Sequence, residues 1–228
     1  MPVITFANPK GGAGKTTTAL ILANELASKG AKISIIDADP ERWISAWGQL
    51  SGKPENIEII SDVSESSIVD QIEMAQGQSQ FVIVDLEGTA SLMVANAIGM
   101  ADLVIIPVQG SSMDAKGGAK TIQLIRNQER MSRRKINHSI VLTRTSAAIM
   151  SRSLRNVKEQ LAQANIDVFE TSIVERAAFR DLMDFGGNLA QLNPDKVSNI
   201  DKAQNNATEF SGEVISKLRA QSINEVDQ

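Results

Sequence analysis

The chain has no cysteine and no tyrosine, a single histidine, and no run of about 18 apolar residues. Without cysteine there are neither disulfides nor thiolate metal sites, which suits a reducing compartment such as the cytosol. Without a long apolar run nothing spans a membrane. Met1-Pro2-Val3 leads straight into an apolar segment, which leaves no room for a signal peptide. The lone His138 has no acid near it in sequence and receives no catalytic role. Aromatic residues make up only 4% of the chain. Repeats and low-complexity stretches are absent too.

What is present is globular: 228 residues, 42% hydrophobic and 22% charged. Short runs rich in Val and Ile read as buried strands at Val3–Ala7, Ile33–Asp37, Ile57–Ile60, Phe81–Asp85, Leu103–Val108 and Ser139–Thr143. Helical patterns lie between them at Thr16–Ser28, Ser64–Ala75, Ala90–Met100, Ala115–Arg130 and Ser151–Ala164, with a last helix over Val197–Arg219. Such alternation predicts an α/β fold, a mostly parallel twisted sheet with helices on both faces. One domain is expected over residues 1–228, with a core over about 2–187 and a helical C-terminal region over about 195–220.

Lys10-Gly11-Gly12-Ala13-Gly14-Lys15-Thr16-Thr17 follows the first strand and opens the first helix. A glycine-rich turn there points backbone N–H groups and a helix N-terminus at one spot, which makes a phosphate cradle. Lys15 would reach the β- and γ-phosphates, and the Thr16 hydroxyl would sit on Mg²⁺. The pattern is deviant, because Pro9 stands where the first glycine of G-x-x-x-x-G-K-[ST] belongs and a second lysine, Lys10, heads the loop. In an open parallel sheet, ligands sit beyond the carboxyl ends of the strands. Asp37, Asp39 and Asp85 all fall there. Asp85 ends its apolar run as a carboxylate that holds Mg²⁺ directly or through water.

This loop resembles the signature of the ParA/MinD group of P-loop ATPases. Asp37-Ala38-Asp39-Pro40, the strand ending at Asp85, and Val104-Ile105-Ile106-Pro107-Val108 match that group in order, over roughly residues 2–187. The likeness is greatest to small ParA-type plasmid partition ATPases. It implies a P-loop ATPase fold and a homodimer that sandwiches ATP, with Lys10 contacting phosphate across the interface and Asp39 orienting the attacking water and helping to hold the metal. It also implies adenine contacts near Thr143-Arg144 and Thr171–Val174. ATP is favoured over GTP because no N-K-x-D segment occurs. Iron–sulfur relatives need the missing cysteines, and tyrosine-kinase relatives need the missing tyrosines. After Asp85 the chain reads Leu86-Glu87-Gly88-Thr89 instead of the common D-x-P-P, a departure shared with small partition ATPases and with ParA-like accessory ATPases of conjugative and T-DNA transfer. Glu87 could shape the water network there or be a solvated loop acid.

Charge points to a second activity. Residues 1–115 carry 6 Lys/Arg and 14 Asp/Glu, a net of −8, whereas residues 116–228 carry 17 and 13, a net of +4; together they give the −4 of the whole chain. Arg126, Arg130, Arg133, Arg134, Lys135, Arg144, Arg152, Arg155 and Lys158 face Glu129 alone. Such a run suits sequence-independent contact with the phosphates of double-stranded DNA, with Arg176 and Arg180 joining it; a solvated helix face is the plainer reading. No aromatic platform interleaves the basic residues, which argues against single-strand stacking. The expected function is an ATP-dependent, dimerising, DNA-binding ATPase of the partition type, cytoplasmic, nucleoid-associated with ATP, and stimulated by a DNA-binding adaptor protein. A DNA-transfer accessory ATPase and a metabolic ATP-dependent ligase are the alternatives. Trp43 and Trp47, four apart on a helix after Pro40, are expected to share a face, in the core or at a partner surface.

Overall fold

The computed structural model describes residues 1–89, 91–147 and 151–226, the side chains of 112–114 and 221–226 excepted. Among the described residues there are seven strands and eight α-helices, six of the helices joining successive strands and two following the last strand. The strands are β1 (Val3–Phe6), β2 (Ile33–Ala38), β3 (Ile57–Ile60), β4 (Phe81–Leu86), β5 (Leu103–Gln109), β6 (Asn137–Thr145) and β7 (Ile173–Val174). The helices are α1 (Lys15–Ser28), α2 (Trp43–Gly48), α3 (Ile68–Gln78), α4 (Leu92–Met100), α5 (Ser112–Ser132), α6 (Arg152–Gln163), α7 (Ala177–Phe185) and α8 (Ile200–Val226).

Every ladder is parallel, in the order β3-β2-β4-β1-β5-β6-β7. The strands are apolar on both sides because both sides are covered. One core layer joins the sheet to α1, α2, α7 and α8 through Leu20, Leu22, Trp47, Phe179, Phe210 and Val214. The other joins it to α3, α4, α5 and α6 through Ile72, Ile98, Ile125 and Val157. Each such fully buried side chain contributes about 1.5–3 kcal/mol.

The expected strands all form, with ends shifted by a residue or two. β7 and α7 were not anticipated, since a two-residue strand carries no periodicity. The third helix starts at Ile68, later than the expected Ser64. Ser64, Ser66 and Ser67 bond one another there, and the Ser64 amide donates to the Ser67 hydroxyl, so the serines hold a turn in place of a helix. The expected start of the fourth helix, Ala90, lies outside the described residues. The tryptophans part company: Trp47 is 1% exposed in the core, while Trp43, the first residue of α2, is 56% exposed.

Strand β1 lies between β4 and β5, and the chain turns to opposite sides of it. The loop leaving β1 therefore opens at the switch point of the sheet, where a ligand crevice is expected.

Candidate functional site

The loop between β1 and α1 is shaped by two left-handed residues, Gly12 (φ 74°) and Gly14 (φ 100°). Gly14 caps α1 without a side chain that bonds the first turn, so those amides stay available to a ligand. The loop's carbonyls are tied away. Gln109 Nε2 donates to the Gly12 carbonyl at 2.5 Å, and the Thr143 hydroxyl donates to the Ala13 carbonyl at 2.7 Å. Asn8 accepts the Lys10 amide at 2.9 Å and donates to the Pro107 carbonyl at 2.6 Å. With the carbonyls of Gly12 and Ala13 anchored on one side, the next amides in the loop face the other, which is the geometry of an anion nest.

Charge converges on this nest. Lys15 is 6% exposed, and burial lowers its ammonium pKa against the opposing pull of Asp85, Asp39 and Glu87. Asp85 is wholly buried, and desolvation raises its pKa from 3.8 to about 7. The Thr16 hydroxyl and Lys15 pull that value down, while Asp37 and Asp39 push it up. Neither Asp85 oxygen has a formed hydrogen bond, although the Thr16 hydroxyl stands beside the carboxyl group. Asp37 is its register partner on β2 and is equally buried. One Asp37 oxygen accepts the Ser45 amide at 2.8 Å and the Ser45 hydroxyl at 2.5 Å, which satisfies an amide in the first turn of α2; the other oxygen is unpartnered.

Three buried carboxylate oxygens without partners and an adjacent hydroxyl form a hard-oxygen donor set, which fits Mg²⁺. Among the described residues no group of three or more His, Cys, Asp or Glu could hold a metal by itself. That also suits Mg²⁺, which keeps waters and takes phosphate oxygens as its remaining ligands. Asp39 is half-buried, its carboxylate accepting the Glu41 amide at 3.0 Å. Glu87 is half-buried near Lys15. Gly88, which sequence reading passed over, belongs to the site as well. A Cβ there would lie in ordinary contact with the loop, 3.4 Å from the Pro9 carbonyl, 3.5 Å from the Gly11 amide nitrogen and 3.6 Å from Lys15 Nζ, so residue 88 packs directly against the cradle.

Beside the first turn of α1 opens a cleft of about 310 Å³, lined among others by Gly14, Thr17, Thr143, Arg144, Ile173 and Arg176. Thr143 is 2% exposed and serves as the strut under Ala13 described above. Arg144 is exposed and left-handed (φ 50°), at the point where the β6–β7 ladder slips. Arg176 and Arg180, assigned from sequence to DNA, also stand in the wall of this cleft. The Arg176 Nε is buried without a partner, and Arg180 pairs with Glu175 at 3.2 Å on the surface.

The basic run from Arg126 to Lys158, continuous in sequence, is divided in space. Arg126 and Arg130 lie on α5, and Arg133, Arg134 and Lys135 lie in the link to the amino end of β6. Arg152 and Arg155 lie in the first turn of α6, past the carboxyl end of β6. The nine residues of β6 separate the two groups by roughly 25–30 Å. All of these side chains are exposed, but Arg134 is committed: its guanidinium donates to the carbonyls of Gly99 (3.2 Å) and Ala101 (2.7 Å), closing the end of α4.

Comparison with known proteins agrees with this geometry. The family model described as VirC1 protein matches residues 1–214. Protein ParA of Rhizobium radiobacter is 44% identical over 218 residues, covering 96% of this chain and 98% of that protein. Protein virC1 of Rhizobium rhizogenes is 24% identical over 191 residues, 82% of each chain. Among solved structures, a Cyanothece McdA variant in complex with ATP superposes with a TM-score of 0.71 at 18% identity, covering 95% of this chain and 96% of that one, which speaks for the fold. Matched along nearly its whole length by a protein named ParA and by the VirC1 family model, the chain belongs to the VirC1/ParA family.

Proposed function

We propose that this protein is an Mg²⁺-dependent ATPase acting as a nucleotide-driven switch on double-stranded DNA, in the manner of ParA-type plasmid partition. The observation that carries it is the convergence of a carbonyl-anchored amide nest, Lys15, Thr16 and the buried pair Asp37/Asp85 at one switch point, under a loop headed by a second lysine. Amides of residues 11–16 cradle the β- and γ-phosphates, and Lys15 opposes their charge. Thr16 and Asp85, backed by Asp37, hold Mg²⁺, which supplies charge neutralisation at the phosphates when bound. Asp39 orients the attacking water and accepts its proton. Lys10 reaches the nucleotide of a second copy, so ATP stabilises a dimer and hydrolysis loosens it. Turnover is slow until a DNA-binding adaptor protein stimulates it, because a fast switch would not persist on DNA. The exposed arginines and lysines flanking β6 supply non-specific phosphate contacts. The protein then works in the cytoplasm, on the nucleoid while ATP is bound; among the described residues no helix is long and apolar enough to cross a membrane.

A second reading rests on the VirC1 match: an accessory ATPase of DNA transfer using the same cycle. Both readings share one test. Lys15→Ala abolishes binding of a fluorescent ATP analogue, while Asp39→Ala binds it within about threefold of the parent but hydrolyses it poorly. Equal loss of binding in the two variants would overturn the role given to Asp39.

A further inference from the structure

Strand β7 is the edge of the sheet, yet its outer polar groups are used. The Val174 amide donates to Asn206 Oδ1 at 3.0 Å, and Asn206 Nδ2 donates to the Ser172 carbonyl at 2.8 Å. In a parallel ladder, one residue of the incoming strand donates its N–H to the carbonyl before a given residue and accepts the N–H of the residue after it. The Asn206 side-chain amide makes this pair of bonds around Ile173. An asparagine on helix α8 thus stands in for one residue of an eighth parallel strand. It is 7% exposed, so water is a poor substitute.

Two helical turns further along, the Glu213 carboxylate accepts the amides of Glu170 and Thr171, each at 2.9 Å. Two side chains of α8 therefore fix four backbone groups of the segment 170–174. That segment continues into the cleft beside the phosphate loop, whose wall includes Ile173, Val174, Glu175 and Arg176. Edge protection alone would need no such register, since a covering loop or an edge lysine serves equally well.

We propose that Asn206, supported by Glu213, is a positioning residue for the nucleotide cleft, and that the C-terminal helix α8 is thereby a handle on nucleotide affinity. This rests on the nucleotide reading given above. By linkage, anything that binds α8 and shifts it must change nucleotide affinity by the factor that nucleotide changes its own binding.

Lys217 provides the control. It ties α8 to Asp167 at 2.7 Å and lies 4.9 Å from the centre of the Phe169 ring; its ammonium is 3.9 Å from Glu213, beyond hydrogen-bond reach, so removing it loosens the helix while both Glu213 bonds to residues 170 and 171 stay formed. Affinity for mant-ADP with Mg²⁺ is measured for the full-length parent, Asn206→Ala and Lys217→Ala, together with hydrogen exchange at the Val174 amide. Asn206→Ala speeds that exchange and weakens mant-ADP about three- to tenfold, a part of the free energy of the two hydrogen bonds lost. Asn206→Ser, which keeps a neutral polar group but is too short to bridge Val174 and Ser172 together, falls between and covers the case in which the alanine variant does not fold. Lys217→Ala stays within about twofold of the parent. Parental affinity in Asn206→Ala or, if that does not fold, in Asn206→Ser, or equal weakening by Lys217→Ala, would overturn the inference alone. Failure of the parent to bind mant-ADP would overturn the nucleotide reading and this inference with it.

Discussion

Replacing Asp85 by asparagine should make the nucleotide-free protein more stable while removing its response to Mg²⁺. The carboxyl group is fully buried, has no formed hydrogen bond, and titrates at about 7 in place of 3.8. Between about pH 4 and pH 7 the folded chain therefore holds a proton at Asp85 that the unfolded chain has released, so folding stability falls as pH rises through this window. Above it the penalty is constant. A shift of about three units corresponds to about 4 kcal/mol. Asparagine is near in shape and carries no charge, so it avoids that cost, although Lys15 loses an attractive neighbour. The net gain expected at pH 8 is about 2–4 kcal/mol, and near pH 4 it vanishes. Urea unfolding followed by tryptophan fluorescence, at several pH values with EDTA, measures both curves. Taking the difference between parent and variant cancels the titration of the other groups. Saturating ATP and Mg²⁺ should then stabilise the parent far more than the variant, because ligand that binds only the folded state adds to stability by mass action. Parallel pH curves, or a less stable asparagine variant at pH 8, would refute the account of a costly buried carboxylate.

Two further predictions follow from the same geometry. Lys10→Ala should bind one ATP per chain yet remain monomeric in light scattering; a stable ATP dimer carrying that change would contradict the sandwich. For DNA, the two groups flanking β6 are tested apart, with Arg134 left in place because it closes α4. Each lost phosphate contact should flatten the slope of log K against log[salt] by about 0.9, so Arg130, Arg133 and Lys135 to Ala removes up to about 2.7 and Arg152 with Arg155 about 1.8. If both variants overlay the parent in a filter-binding salt titration, DNA contact lies elsewhere.

The legible part of the site is the part that is contiguous. Residues 10–17 carry lysines, glycines and threonines in the order their chemistry needs, and Asp85 closes an apolar run, so local spacing was enough. Other features depend on pairs far apart in sequence. Thr143 acts on Ala13, 130 residues away, as a strut, and no local signal separates that from the base contact the family resemblance implied. Gly88 lies against Pro9, Gly11 and Lys15, which only the folded chain brings to it. The basic run from Arg126 to Lys158 looked like one patch because sequence distance ignores the strand that divides it. Trp43 and Trp47 share a helix face by spacing, but a six-residue helix leaves its first residue at the end, where packing does not cover it.

The cost of this site is also the source of its switching. Asp85 and one oxygen of Asp37 lie side by side at the strand ends, desolvated and without partners, and each raises the energy of the other's charge. An Mg²⁺ ion bound with nucleotide relieves that directly, so binding free energy is partly the removal of a penalty built into the fold. A ligand shifts an equilibrium only by its differential interaction with two states. Here the differential is largest at Asp85, and its register partner Asp37 already holds the first turn of α2 through Ser45. Relief of the carboxylate pair is thus coupled by two short hydrogen bonds to the segment that carries Asp39 and the exposed Trp43. A site with solvated acids in these positions would bind the same ion with less change in energy between its states.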